Sequence, residues 1–138
     1  LILGEAVGTQ GPWKLESLSV SAGSDNNNTP SAKVKLLHES GNLEETIIQA
    51  AGPVNAVFLA ISKITGHPLH LESFTVQSVS EGKDAMAEAS VSVSTEFENY
   101  QGRGASTDTV LAGARAYLDV INRIERRAVR QASIAAQH

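Results

Sequence analysis

The sequence repeats itself at an interval of 56 residues, and this repeat constrains the fold more than any other feature. The segment Leu15–Val20, which reads LESLSV, is echoed by Leu71–Val76, which reads LESFTV. Each copy begins a half in which apolar and polar residues alternate and then give way to apolar residues at helical spacing. Alternation with a period of two is typical of strands with one buried face. We therefore expect an internal duplication, (βββα)₂, with an α+β fold.

In the first half, the pattern predicts three strands and one helix. Strand signals begin at Leu15, continue at Ala32, Val34 and Leu36, and return between residues 44 and 51. Gly52-Pro53 then opens a helix, because proline is tolerated in the first helical turn. Gly66 is predicted to end this helix, since glycine readily adopts the left-handed conformation of a C-terminal cap.

The second half repeats this order and ends in a second helix. We expect strands at 71–76, at 86–97 and from Tyr100 onwards. Gly102 and Gly104 are interpreted as a flexible turn that leads into a helix capped by the Ser-Thr-Asp signal at 106–108. Such a helix start leaves backbone N–H groups without intrahelical partners and attracts anions, including carboxylates.

Composition bounds the class of protein. The chain has 138 residues, enough for one domain, and is 41% hydrophobic but only 4% aromatic. Its net charge of −4 disfavours nucleic acid as the main partner. It has no cysteine, which fits a cytoplasmic protein, and no apolar run long enough for a membrane span. We expect residues 1–14 to link to a missing upstream domain, 15–130 to form the domain, and 131–138 to be a tail.

Catalytic and metal-binding signals are weak. No Ser/His/Asp arrangement, phosphate loop or prominent carboxylate pair is present. His67 and His70 could suggest a metal pair, but Pro68 prevents a regular helical face, so a surface turn is the preferred interpretation. The basic residues near the C-terminus are interpreted as a solvated, salt-bridged face: Arg123, Arg126, Arg127 and Arg130.

A binding module is the remaining class. The two strand-to-helix junctions, 50–56 and 102–108, are related by the repeat and should lie near one another, where they could offer N–H donors to a carboxylate. Asp84 or Asp108 could meet an ammonium group, although Asp108 could equally serve as a helix cap. Three apolar residues could hold an aliphatic tail, with a core role left open for Phe74: Val54, Leu71 and Phe74.

Four motifs in order carry a resemblance to a known family. They are GPVNA at 52–56, GKDA at 82–85, GRGxxxD at 102–108 and AYLxxxNR at 116–123. Together they resemble the C-terminal regulatory domain of 2-isopropylmalate synthase, over roughly residues 15–123. Citramalate synthase shares this domain and stands second.

This resemblance implies a role for the domain and for a longer enzyme. The whole enzyme would condense acetyl-CoA with 3-methyl-2-oxobutanoate on an upstream TIM barrel that uses a divalent metal. The present segment would be non-catalytic, hold no cofactor, form a homodimer and bind L-leucine as a feedback inhibitor. The alternatives are an isoleucine-sensing domain and a dimerisation module without a ligand.

The resemblance also implies a set of effector contacts, placed by motif position on the two junctions and the fourth strand. The implied contacts are Gly52, Val54, Asn55, Leu71, Phe74, Ser78, Ala85, Gly104, Ala105, Ser106 and Asp108. Family members often have Gly where Ala50 stands, Asp where Asn55 stands and Tyr where Phe74 stands. These differences bear on effector affinity, since a lost hydroxyl hydrogen bond typically changes binding by about 1 kcal/mol.

Overall fold

A computed structural model describes residues 11–21, 30–78 and 85–136, so the prediction for Asp84 lies outside the described residues. Within these ranges the chain forms six strands and two helices. The elements are β1 (Trp13–Ser21), β2 (Ser31–His38), β3 (Leu43–Gln49), α1 (Pro53–Thr65), β4 (His70–Ser78), β5 (Ala87–Ser94), β6 (Asn99–Ser106) and α2 (Thr109–Ala136).

The structure confirms the α+β duplication. Two antiparallel three-stranded sheets have the orders β1-β2-β3 and β4-β5-β6. The repeat interval of 56 residues separates the first residues of β2 and β5, of β3 and β6, and of α1 and α2. Even an irregularity is repeated, because β1 has a register shift between Leu15 and Ser17 and β4 has one between Leu71 and Ser73.

Each helix covers the apolar face of the sheet from its own half. In β2, Ala32, Val34 and Leu36 are fully buried, while Lys33 between them is exposed, as the alternation predicted. Helix α1 packs on β2 and β3, and α2 packs on β5 and β6. The first helix begins after Gly52 and ends at Gly66, which has the predicted left-handed conformation with a φ of 76°.

The prediction of a flexible glycine turn before α2 is wrong. Gly102 and Gly104 lie inside strand β6 and are buried against α2. A Cβ atom on Gly102 would lie 2.3 Å from the carbonyl oxygen of Ala116, and one on Gly104 would lie 2.5 Å from that of Ala112. These glycines therefore allow a strand and a helix backbone to approach closely, a use of glycine that a local Gly-x-Gly pattern does not distinguish from a turn.

The two helices contact each other and run in the same general direction. Phe58 of α1 stacks on Tyr117 of α2, Ser62 further along α1 bonds the same tyrosine, and His67 after α1 reaches Glu125. The contacts thus advance along both helices together. The N-terminal ends of α1 and α2, and with them the two strand-to-helix corners, lie at the same end of the helix pair.

Candidate functional site

The corner that leads into α1 has an uncapped helix N-terminus. Gly52 occupies the N-cap position in an extended conformation, and among the described residues no side chain caps this end. Pro53 follows, and the first amide bonded back to the cap residue is that of Ala56, at 2.9 Å from the Gly52 oxygen. The amides of Val54 and Asn55 belong to the group that a helix cannot satisfy internally, so this corner attracts anions.

A cavity of about 360 Å³ opens beside this corner. It lies between the N-terminal half of α1, strand β4 and helix α2, and its size falls within the usual range for small-molecule sites. The lining is mostly apolar and consists of Ala50, Ala51, Asn55, Phe58, Leu59, Leu69, Leu71 and Tyr117. Two predicted effector contacts, Asn55 and Leu71, therefore share one chamber.

Aromatic rings border this cavity. Phe58 stacks on Tyr117 with ring centroids 4.6 Å apart, and Phe74 meets Phe58 edge-on at 5.6 Å. The Tyr117 hydroxyl and the Ser62 hydroxyl are hydrogen-bonded at 2.6 Å. Burial raises the pKa of Tyr117, an effect that the bond to Ser62 partly opposes. Phe74 is partly buried and packs against the core beside Phe58, as the alternative core role requires, while its contact with an effector stays a prediction.

The corner that leads into α2 is closed by its own side chain. The Asp108 carboxylate accepts hydrogen bonds from the amides of Val110 at 2.8 Å and Leu111 at 3.2 Å. The Ser106 hydroxyl in turn accepts a bond from the Asp108 amide at 3.1 Å. The capping interpretation of Asp108 is therefore confirmed, while its contact with an effector stays a prediction.

A second cavity, of about 310 Å³, lies at this corner between α2 and strand β1. Its lining carries more charge than that of the first: Leu15, Glu16, Ser17, Leu18, Val20, Asp108, Val110, Leu111 and Arg115. The Arg115 guanidinium donates to the Ala105 carbonyl oxygen at 2.7 Å, which ties it to the end of β6. In the single chain, three of the eleven predicted contacts line these cavities: Asn55 and Leu71 the first, and Asp108 the second.

The other predicted contacts lie around these two chambers. Gly52 and Val54 stand at the start of α1, next to Asn55 in the first cavity. Ala105 is half-buried at the end of β6, where its carbonyl oxygen holds Arg115. Gly104 is buried beneath α2.

Two further predicted contacts lie beside the ends of β4 and β5 and likewise line neither cavity. Ser78 is exposed at the end of β4, where it pairs with Ala87. Ala85 is half-buried two residues before β5 begins.

Sequence reasoning named as contacts only two lining residues of the first cavity and one of the second. Among the lining residues that it missed are Phe58, Leu59, Leu69, Tyr117 and Arg115. The repeat held a signal for two of them, because the interval of 56 residues pairs Leu59 with Arg115. The remaining positions look like ordinary core residues until tertiary packing places them at a cavity.

The two histidines considered as a metal pair each contact a different carboxylate. His67 bonds Glu125, and His70 lies 3.7 Å from Glu72. Within the described ranges, no group of three or more His, Cys, Asp or Glu side chains could hold a metal ion. No helix in the described part of the chain is long and apolar enough to cross a membrane.

Two of the C-terminal arginines are paired, as expected of a salt-bridged face. Arg123 bonds the buried Asp119 carboxylate at 2.6 Å, and Arg127 bonds Glu98. The side chain of Arg130 lies outside the described residues.

Comparison with known proteins decides the family. The model of the LeuA allosteric (dimerisation) domain matches residues 1–125. The chain belongs to this family. Among curated relatives, 2-isopropylmalate synthase of Rhodopirellula baltica is 38% identical over 112 residues, which is 81% of this chain and 21% of the relative. The corresponding enzyme of Stenotrophomonas maltophilia is 41% identical over 124 residues, which is 90% of this chain and 22% of the relative.

This LeuA domain therefore spans about a fifth of the length of the curated relatives that it matches. The family description agrees with the resemblance found in the sequence motifs, and the duplicated fold agrees with its expected architecture. The family match also covers both corners and the aromatic border of the first cavity.

Proposed function

We propose that this LeuA domain is the feedback-regulatory part of a 2-isopropylmalate synthase and that it binds L-leucine. The cavity at the α1 corner carries the proposal, because it joins an uncapped helix N-terminus to an apolar chamber of suitable size. The family supports it, since its description names an allosteric domain and the relatives are named 2-isopropylmalate synthase.

The geometry suggests how leucine would be held. Its carboxylate would accept hydrogen bonds from the amides of Val54 and Asn55 at the start of α1. Its branched side chain would lie against Leu69 and Leu71, with the Phe58–Tyr117 stack beyond them. The Asn55 side-chain oxygen would accept a bond from the ammonium group, because this side chain lines the same cavity.

The proposal extends to the complete enzyme. An upstream catalytic domain with a divalent metal would condense acetyl-CoA with 3-methyl-2-oxobutanoate in the cytoplasm, and this domain itself would do no chemistry. Inhibition would arise because leucine binds two arrangements of the enzyme with different affinities.

We also propose that the domain forms a homodimer through the apolar surface around the two cavities. Leu59 is 53% exposed, and Val20 and Val76 are each 40% exposed. Leu59 lines the first cavity, Val20 lines the second, and Val76 continues the cavity-facing side of β4 beyond Phe74. A second copy would cover these side chains, in keeping with the dimerisation role named in the family description.

Calorimetric titration of the 138-residue chain with leucine, isoleucine and valine tests the ligand. We expect saturable heat with leucine and weaker binding of the other two. The absence of heat with all three, at concentrations into the millimolar range, would contradict the effector role. Tight isoleucine binding with weak leucine binding would favour the citramalate synthase alternative.

A variant at Leu59 tests the location. Leu59→Arg places a guanidinium in the first cavity, as Arg115 does in the second, and half-exposure of Leu59 makes the change compatible with folding. We expect leucine affinity to fall at least about tenfold, since a charged group would replace apolar lining. Phe74→Asp is a poorer test, because Phe74 packs on Phe58 and a buried carboxylate would disturb the core. If the parent chain forms a dimer and leucine does not stabilise it against unfolding, the domain is instead a dimerisation module without a ligand.

A further inference from the structure

The N-terminal end of the first sheet is attached to α2 through Trp13. The Trp13 amide donates to the Asn122 side-chain oxygen at 2.9 Å, and the Asn122 side-chain nitrogen donates to the Trp13 carbonyl oxygen at 3.0 Å. Trp13 is 6% exposed and Asn122 is fully buried. Gly11 packs so closely on Asn122 that an added Cβ would lie 2.4 Å from the Asn122 Cβ. The backbone at residues 11–13 is therefore fixed to α2.

One carboxylate oxygen joins this attachment to the end of α1. The Trp13 indole nitrogen donates to Oε2 of Glu125 at 2.7 Å, and the same oxygen lies 3.1 Å from Nε2 of His67. His67 directly follows Gly66, the C-terminal cap of α1. We call Trp13, His67, Asn122 and Glu125 the Glu125 clasp. A shift of α1 relative to α2 must change a bond to the oxygen that also holds Trp13.

The first cavity lies on the same pair of helices. Both helices contribute to its wall, through Phe58 and Leu59 of α1 and Tyr117 of α2. Ser62 and Tyr117 fix the two helices to each other at 2.6 Å, and the His67–Glu125 bond is the next polar tie between the two segments. Tyr117 and Glu125 are about 12 Å apart along α2. Close-packed interiors transmit displacements over such distances.

We propose that the Glu125 clasp transmits the occupation of the first cavity to residues 11–13. A ligand bound in the cavity would change how firmly α2 holds that segment. This inference rests on the proposed leucine site, and it names the place where the signal leaves the domain. We expect the ligand to displace α1 relative to α2, because the cavity and the clasp both lie between these two segments. Such coupling is reciprocal, so a clasp variant changes the leucine affinity by the coupling factor, which we expect to be about twofold or less.

The single tryptophan of the chain provides a direct readout. Its indole N–H gives one resonance in an ¹⁵N-labelled sample, and that hydrogen is the one donated to Glu125. We expect leucine to shift this resonance with the same midpoint as the calorimetric titration. Leucine binding with an unmoved indole resonance would overturn the clasp as the output while leaving the proposed function intact.

A histidine pair supplies a variant and a matched control. His67→Ala removes the link between α1 and Glu125 but leaves the Trp13 bond and the cavity lining in place. We expect leucine affinity within about twofold of the parent and a leucine-induced indole shift reduced at least about fivefold. His70→Ala serves as the control, because the His70 side chain is 77% exposed. In the described part of the chain, its one ion pair is with Glu72. An equal loss of the indole response in both variants would contradict the proposal.

A measurement without ligand tests the clasp even if leucine does not bind. Tyr117→Phe removes the hydroxyl bond to Ser62 at the cavity wall while keeping the ring stack on Phe58. We expect hydrogen exchange of the Trp13 indole to accelerate about threefold or more, because the helices are less firmly tied. If calorimetry shows no leucine binding, acceleration in this variant still supports the clasp, and unchanged exchange overturns it.

Discussion

The α1 corner and the α2 corner occupy equivalent positions in the duplicated fold, yet they offer opposite chemistry. Their helices start 56 residues apart, so Gly52 corresponds to Asp108 and Leu59 to Arg115. At the α1 corner the first amides have no side-chain cap, whereas at the α2 corner the Asp108 carboxylate occupies them. An external carboxylate therefore finds donors at the first corner and a negative charge at the second. The duplication has kept the backbone and differentiated the two sites by a few side chains.

The largest expected effect concerns glycines near the two corners. Gly104→Ala should lower the free energy of unfolding by about 3 kcal/mol, because the new Cβ would meet the backbone of α2 at 2.5 Å. Gly52→Ala should cost about 1 kcal/mol or less, since nothing lies within 4 Å of a Cβ there and only the N-cap preference changes. Chemical denaturation of both variants measures the difference, and equal losses would contradict the close packing of β6 on α2.

Giving the α1 corner the cap of the α2 corner should separate binding from stability. Gly52→Asp should weaken leucine binding about tenfold or more, because its carboxylate would occupy the amides and repel the ligand. The same change should raise the free energy of unfolding by a few tenths of a kcal/mol. Gly52→Asn is the matched control, since it can cap without charge. Calorimetry and denaturation on both variants give the comparison, and undiminished affinity in Gly52→Asp would place the carboxylate elsewhere.

Removing the cap at the α2 corner tests its structural role. Asp108→Ala should lower the free energy of unfolding by about 1 kcal/mol, as two amides lose their acceptor. Thermal or urea denaturation measures this loss. Leucine titration of the same variant sharpens the comparison, because a parallel fall in affinity would keep Asp108 as an effector contact and an unchanged affinity would restrict it to capping.

The smallest expected effect is a pH dependence of the free energy of unfolding that arises from α2 and has no counterpart in α1. Tyr117 corresponds in the repeat to Ile61, which cannot titrate. Because burial raises the pKa of Tyr117, the unfolded chain loses this proton first, and the free energy of unfolding should decline as pH rises above the ordinary value of 10.0. The expected decline is about 1 kcal/mol or less between pH 10 and 11. Urea denaturation at several pH values gives the free energy of unfolding of the parent and of Tyr117→Phe. This free energy should fall more steeply with pH in the parent, and equal dependence on pH in both proteins would contradict the burial effect.

The fold was predictable because its signals are local and occur twice. The alternation at Ala32, Val34 and Leu36 set the buried face of one sheet, and Gly52-Pro53 and Gly66 marked the ends of a helix. Boundaries were less accurate, since the strand expected over 86–97 spans Ala87–Ser94 and the one expected over 44–51 spans Leu43–Gln49. The chain turns where hydrogen bonds such as that of the Thr95 amide to the Glu98 oxygen close a loop, and alternation alone does not show this.

The candidate site was predictable only in part. Asn55 and Leu71 were named from motif positions and share the first cavity, while Tyr117 and Leu59 were missed. The Glu125 clasp joins residues as far apart as Trp13 and Glu125, and no spacing in the sequence indicates that contact. Long-range polar contacts depend on how two helices are positioned, which is a property of the packed core.

The sequence by itself determined the duplication, the order of the elements and the family, because periodicity, helix caps and motif order are written within short stretches of chain. Tertiary structure alone decided that Gly102 and Gly104 serve packing rather than turning, and that Asp108 closes one corner while Gly52 leaves the other open to an anion. The physical reason is that a backbone amide or a glycine has no fixed role of its own. Its role is set by the atoms that the fold brings within a few ångströms.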